Sequence, residues 1–328
     1  MNKRIQWIDI LKGIAMILVI AGHTISGVPR SIIFSFHMPL FFALSGYTYK
    51  LASDGGGVMH RIRKDCKHLL LPAYAIWIIR WPVLMLRDHV VYTIPQFMLS
   101  GLYASGTRTY VGSIEVPAFG MIWFLVVLFI IRLIYCLLCC VVKNDIERTI
   151  IAVGMCFFGL YIKTYLPFSF DVTMVALIFF CIGQMFQKTN LNSHTILKIL
   201  ISGIIWGGIL MVLLYKHTHF ELATREYPYG PISILMAISG CYCLMIIISN
   251  ATERIEIQRV KNWFEYIGRH SLLLFGIHAF DIIWYPYLKN VLCGGSEVLV
   301  FLLRITIDLI IFMSILVLKK KRTCSTKA

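Results

Sequence analysis

The sequence predicts an all-α integral membrane protein of about ten transmembrane helices with both termini cytoplasmic. Three observations predict it. Residues are 59% hydrophobic and only 14% charged, where a soluble chain carries roughly a quarter charged residues. Mean hydropathy is +0.78, and the apolar residues fall in repeated runs near 20 residues long, the length that crosses a bilayer. Lys and Arg concentrate in alternate connecting segments, the pattern that orients a polytopic protein.

The runs fall at about 8–26, 32–51, 69–87, 119–142, 148–165, 170–187, 196–215, 230–250, 270–288 and 296–318. The stretch 91–106 is shorter and moderately apolar, which suits an interfacial or re-entrant piece. The first run has no small-residue cleavage site after it, so the first helix is expected to stay in the mature protein. Lys3 and Arg4, the 52–68 loop with Arg61, Arg63, Lys64 and Lys67, the 251–269 loop with Arg254, Arg259, Lys261 and Arg269, and the tail with Lys319, Lys320, Lys321 and Arg322 all fall on one side if the span count is even. The opposite loops hold scattered Arg30, Arg108, Lys216 and Arg225. Residues 1–318 thus form a single membrane domain, and 319–328 a short basic cytoplasmic tail, too short and polar to fold.

The net charge of +15 comes from 31 Lys and Arg against 16 Asp and Glu. In a polytopic chain, basic loops that fix orientation account for it without nucleic acid as a partner. Of the ten cysteines, Cys136, Cys139, Cys140, Cys156, Cys181, Cys241 and Cys243 lie in apolar runs and read as small hydrophobes. No Cys or His spacing matches a zinc site, so no metal is expected.

Ionisable groups inside a span are costly and mark a site or pathway by default. The first span carries Asp9, Lys12 and His23 at helical spacing on one face, with Lys12 toward the cytoplasm and His23 toward the outer end. Snorkelling of Lys12 and a hydrogen-bonded packing role for His23 are the alternative readings. The second span opens on Phe36, His37, Met38 and Pro39 and continues through Ser45 and Gly46, which suit close helix packing. His60, Arg61, Arg63, Lys64, Lys67 and His68 follow; they fit a topology signal or capture of phosphate groups. Arg80, Arg132, Asp171, His278, Asp281, Arg304 and Asp308 add charge within or beside spans. Arg304 and Asp308 have the i,i+4 spacing of a pair on one helix. His278 and Asp281 share a face, and Trp123 and Asp171 lie near the outer ends of spans four and six.

The ordered set of these pieces resembles the membrane-bound acyltransferase family 3, in its O-acetyltransferase branch that includes fucose 4-O-acetylase-like proteins. The pieces are Arg4, Asp9, Lys12 and Gly13 with His23 eleven residues after Lys12; Phe36 to Gly46; Arg61, Arg63 and Lys64 ahead of Pro72 and Tyr74; Trp123 to Leu125; LPFSFDVTMVALIFFCIG at 166–183; and Tyr266 to Ser271 leading to His278. The family more often has Arg at the position of Lys12, and an Arg-x-x-Arg where this chain has Arg61-x-Arg63. The resemblance implies transfer of an acyl group, usually acetyl, from a cytoplasmic coenzyme A thioester to a hydroxyl of a cell-surface or lipid-linked carbohydrate, in a multi-pass protein of the inner (plasma) membrane. On that basis His23 is the general base, with Asp9, His37 and His278 as further catalytic candidates and Lys12, Arg61, Arg63 and Lys64 as candidates for holding acetyl-CoA. The partners are acyl-CoA, the carbohydrate acceptor and the bilayer. The competing reading is a proton-coupled transporter or exporter of a sugar or anionic solute, since buried charges and histidines suit transport equally well. Transporters often show two related halves, and no such internal repeat is visible here.

Overall fold

Apolar helices carry the fold, as the composition requires. The computed structural model describes residues 5–50, 57–189, 191, 195–254, 256–291 and 296–325. Lys3, Arg4 and the Arg322 side chain, which the charge pattern places on the cytoplasmic side, lie outside the described residues and side chains. The chain divides into two compact units, Met1–Ile33 with Ala251–Ala328, and Phe34–Asn250.

In the first unit, α1 (Gln6–Gly22) carries Asp9 in its first turn, where a carboxylate opposes the positive end of the helix. It closes at His23, whose N–H donates to the Val19 carbonyl at 3.1 Å, and at Thr24, whose hydroxyl donates to Ile20 O at 2.8 Å. The short α2 (Gly27–Phe34) follows. α12 (Gln258–Arg269) lies against α1 at backbone contact: a β-carbon on Gly13 would strike the Phe264 carbonyl oxygen, and one on Gly268 the Asp9 carbonyl oxygen. Small residues at such crossings let helices approach where lipid offers no hydrophobic drive. α13 (Ser271–Phe280) runs parallel to α1, since Asp9 abuts Gly268 and the His23 ring lies by the His278 ring. α15 (Glu297–Ser325) runs back, with Arg304 at the His23 end and Phe312 6.1 Å from the Tyr266 ring.

The continuous span expected at 270–288 is broken. A 3₁₀ turn at Asp281–Ile283 separates α13 from α14 (Tyr285–Val291). The Asp281 carboxylate is drawn sideways onto His278 and Arg304, and Pro286 has no amide hydrogen to continue the ladder. The expectation that 319–328 is too polar to fold is also corrected: α15 continues through Lys319, Lys320 and Lys321 to Ser325, because no Gly or Pro interrupts it and Lys and Arg are good helix formers.

In the second unit, α3 (His37–Thr48) and α9 (Phe170–Lys188) run parallel in backbone contact. A β-carbon on Gly46 would strike the Phe180 carbonyl oxygen, and one on Gly183 the Ala43 carbonyl oxygen. Gln184 donates to the carbonyls of Gly46 and Tyr49, closing the last turn of α3. The end of this pair that carries His37 is therefore also the end that carries Asp171.

The basic 52–68 segment, expected as a loop, is helical from Gly57. α4 (Gly57–Asp65) joins α5 (Leu71–Asp88) through a single π turn at Cys66–Leu70. The wider turn precedes Pro72, which has no N–H to give to a carbonyl one turn back. The 91–106 stretch holds α6 (Ile94–Tyr103), ten residues long, opened by a capping box of Thr93 and Gln96. An antiparallel hairpin follows, β1 (Thr109–Val111) and β2 (Ile114–Val116), with Tyr110 opposite Glu115. Gly112 sits in its turn at φ +60, a conformation glycine adopts without cost. Then come α7 (Trp123–Val141), α8 (Asp145–Tyr161), α10 (Thr195–Tyr215) and α11 (Pro231–Arg254).

Among the described residues, seven helical segments are long and apolar enough to cross a membrane: Gly27–Thr48, Gly57–Arg87, Trp123–Val141, Pro167–Lys188, Thr195–Tyr215, Pro231–Arg254 and Glu297–Lys321. The three remaining spans read from the sequence fall on shorter helices, α1 and α8 with 17 residues each and the broken Ser271–Ile283. α9 is the most enclosed of the seven and α10 the least, so α9 forms the centre of its unit and α10 offers most of its surface to lipid.

The close crossings generate a test. Gly183→Ala and Gly268→Ala should each lower the unfolding temperature in detergent, by an overpacking cost of about 1–3 kcal/mol. Gly154→Ala and Gly207→Ala, where no atom lies within 4 Å of an added β-carbon, should leave it unchanged or raise it. Equal effects at all four positions would contradict the packing.

Candidate functional site

The first unit gathers its charge at the end of α1. Arg304 on α15 is 3% exposed and uses its whole guanidinium. Its Nε and Nη2 donate to the two oxygens of Asp281, the latter at 2.8 Å. Its Nη1 donates to Thr24 Oγ1 at 2.8 Å and to the His23 carbonyl at 3.0 Å. The Tyr285 ring lies 4.4 Å from the guanidinium carbon. This corrects the i,i+4 pairing read from sequence: Arg304 reaches across to Asp281, because the fork geometry of two parallel bonds outweighs a single contact along its own helix. Asp308 instead faces His278, with Oδ2 3.6 Å from Nδ1.

His278, Asp281 and Asp308 are wholly buried. His278 Nδ1 lies 2.6 Å from Asp281 Oδ2. A carboxylate already bound to arginine can only accept, so Nδ1 is the donor and Nε2 is left for another partner. That Nε2 has no hydrogen-bond partner among the described residues. The exposed His23 ring lies 5.6 Å from it, centroid to centroid, tilted by 40°. An imidazole oriented on a carboxylate, beside a second imidazole open to the surroundings, can take and pass a proton. The ligand atoms of His278, Asp281 and Asp308 lie within 4.8 Å of one another. Both Asp281 oxygens are engaged by Arg304, so the three side chains belong to one ion-pair network.

At the other end of α1, Asp9 Oδ2 lies 3.8 Å from Arg269 Nε. Glu265 pairs with Arg269 and accepts from Gln6 at 2.8 Å. Lys12 is half-buried one turn further along α1.

The second unit holds two polar clusters at opposite ends of the α3–α9 pair. At one end, Arg132 donates from Nη1 to Asp65 at 2.9 Å and from Nε and Nη2 to Ser45 Oγ. Arg61 lies 4.2 Å over the Tyr49 ring and donates to the second Asp65 oxygen at 3.3 Å. One buried carboxylate thus anchors two arginines. Along α4 and the turn after it, His60, Arg63, Lys64, Lys67 and His68 are exposed while Asp65 and Leu69 are buried, which gives the segment an inner acid and an outer cationic face. At the other end, Arg225 pairs with Asp171 at 2.8 Å, donates to Ser105 Oγ at 3.0 Å and lies 4.0 Å over the Tyr165 ring. The Tyr227 hydroxyl beside them is buried with no hydrogen-bond partner among the described residues, and burial pushes its phenol far above the ordinary tyrosine range. It remains a donor at any physiological pH.

The structure therefore brings His23 and His278 together and seats Asp9 at the opposite end of α1. His37 belongs to the second unit, buried at the start of α3 with its ring 4.7 Å from Phe34. Arg61, Arg63 and Lys64 share one helix but divide between an anchored and two exposed positions. Sequence reading missed Thr24 as an Arg304 partner, and Asp65 as the anchor of Arg61 and Arg132. Asp65 had a visible signal, being the one acid inside the basic run and four residues after Arg61.

A helical chain embedded in the bilayer, with an imidazole–carboxylate–arginine network buried beside an open histidine, is an integral membrane protein built for chemistry or for carrying charge. A family model described as an acyltransferase domain matches residues 5–318, and the chain belongs to that acyltransferase family. It is thus a multi-pass membrane acyltransferase, and family membership does not favour the transport reading. No curated protein and no solved structure matches the chain.

Arg304→Met should cost about 3–5 kcal/mol of stability, since the buried Asp281 carboxylate loses its cation. Arg304→Met combined with Asp281→Leu should recover much of that loss. Thermal unfolding of the purified variants checks both, and a double variant no better than the single one would contradict the network.

Proposed function

We propose that this acyltransferase moves an acetyl group from cytoplasmic acetyl-CoA to a hydroxyl of a cell-surface or lipid-linked carbohydrate, in the inner (plasma) membrane and with both termini cytoplasmic. The observation that carries the reading is the histidine pair at the end of α1. His23 is open, its main chain is fixed by Arg304, and its ring lies against a buried imidazole oriented by Asp281. His23 takes the proton from the acceptor hydroxyl as the oxygen attacks the thioester carbonyl. The C–O bond forms, the C–S bond breaks, and the proton leaves with the coenzyme thiol. His278 backs His23 through its Nε2.

The donor's phosphates call for cations that are not already neutralised. Arg63 and Lys64, on the exposed face of α4, supply them. Arg61 contributes from its anchored position on Asp65. Asp9, next to Arg269, orients the cationic end of α1. The placement of basic segments along the chain supports a cytoplasmic site for these groups.

His23→Ala should lower acetyl transfer from labelled acetyl-CoA in proteoliposomes by about 10²–10⁴-fold while membrane insertion stays normal. Wild-type acetylation in that variant would remove His23 from its role. Arg63→Ala and Lys64→Ala should raise KM for acetyl-CoA by roughly tenfold each, with smaller effects on kcat, and the effect should shrink at high salt. Unchanged KM would leave those cations as orienting charges only. Mass spectrometry of surface glycans from a deletion strain should show the loss of one acetyl unit and so identify the acceptor.

A further inference from the structure

Two cavities in the second unit share one wall. The first is a polar chamber of about 290 Å³ lined by Lys163, Thr164, Tyr165, Asp171, Arg225 and Tyr227 among others. The second is an apolar groove of about 720 Å³, lined on α7 by Val126, Phe129, Ile130 and Leu133 and on the other side by Phe168 and Phe170 among others. Residues 162–171 separate them. Tyr165 and Asp171 line the chamber, and the residues between them, Leu166 to Phe168 and Phe170, line the groove.

The partition is held stiffly. Phe168 and Ser169 both adopt positive φ, at 57° and 49°, in consecutive non-glycine positions. Such backbone persists only where its surroundings impose it. Here Ser169 Oγ donates to the Ala104 carbonyl at 3.0 Å, and Arg225 donates to Ser169 and to Asp171.

The chemistry on the two sides differs sharply. In the chamber, the Asp171–Arg225 pair is internally neutral and offers both donors and an acceptor. Tyr165 offers a ring, and Tyr227 offers a buried hydroxyl lacking a partner among the described residues. Those are the groups that bind a polyol such as a sugar ring. Lys163 is exposed at the edge and adds one positive charge that no acid neutralises among the described residues. The groove presents hydrocarbon alone and suits an alkyl or polyprenyl chain.

We propose that the chamber and groove together bind one glycolipid: a sugar-sized head in the chamber, a phosphate linkage beside Lys163, and the hydrocarbon chain in the groove. This rests on the acyl-transfer reading above and makes the bound glycolipid the acceptor, so that the acceptor is lipid-linked rather than a free polysaccharide. Tyr227, Arg225 and Lys163 are binding residues for its head.

The test uses the full-length protein in nanodiscs. It is irradiated with a polyprenyl phosphate bearing one hexose and a diazirine on the head-proximal end of the chain. Phosphatidylglycerol with a diazirine at the same depth is the comparison, and labelled peptides are mapped by mass spectrometry. The glycolipid should label 166–170 and the facing part of α7 well above the phospholipid. Tyr227→Phe and Lys163→Ala should each cut that labelling roughly fivefold with an unchanged unfolding temperature. Equal labelling by the two lipids would reduce the groove to ordinary bilayer contact and overturn the proposal. So would label found elsewhere, or variants that label like the wild type. Acetyl transfer measured in the same preparation separates the two readings. Transfer without labelling of this segment sinks the glycolipid site alone, and labelling without any use of acetyl-CoA sinks the acetyl-transfer reading alone.

Discussion

A buried guanidinium must find acceptors, and that requirement organises the first unit. Arg304 sits on an apolar helix where water is excluded, so its N–H groups must find oxygen within the protein. It takes both oxygens of Asp281, the hydroxyl of Thr24 and the carbonyl of His23. Those partners come from two segments far apart in the chain. Meeting Arg304 therefore fixes the end of α1, breaks the helix after Phe280, and sets the depth of α15 against both. The same carboxylate that satisfies Arg304 also orients His278. One electrostatic demand thus places the open imidazole and the buried one side by side.

The second unit answers the same problem with a shared anion. Arg132 and Arg61 both lean on Asp65, and Arg225 leans on Asp171. Each network fills one end of a helix pair whose own adhesion comes from glycine. Gly46 and Gly183 let α3 and α9 meet backbone to backbone, and Gly13 and Gly268 do the same for α1 and α12. Dispersion at such contacts substitutes for the hydrophobic drive that lipid removes. The Arg132–Asp65–Arg61 cluster is then held by helices, while Arg225, Ser105 and Tyr165 reach Asp171 from connecting segments.

Much of this was legible in the chain. Windowed apolarity located the helices, because every backbone group in a bilayer must be satisfied within its own segment. The i,i+3 spacing of His278 and Asp281 put them on one face, and the structure joins them by a hydrogen bond. The break at Asp281 was not legible: hydropathy averages over a window and is blind to a carboxylate pulled out of line by a partner 23 residues away. Helical continuity from Gly57 was hidden for the opposite reason, since charged residues depress hydropathy without disfavouring helix.

By itself, the sequence determined the helical membrane class and the family, because length, apolarity and motif order are properties of the chain. The tertiary structure decided which of those residues meet. Arg304 chose Asp281 over its own helix neighbour Asp308, Arg61 turned inward while Arg63 and Lys64 stayed outside, and residues 162–171 became a wall between two cavities. Each outcome depends on distances between segments far apart in the chain, where fork geometry, burial and backbone approach select among partners that spacing alone leaves equivalent.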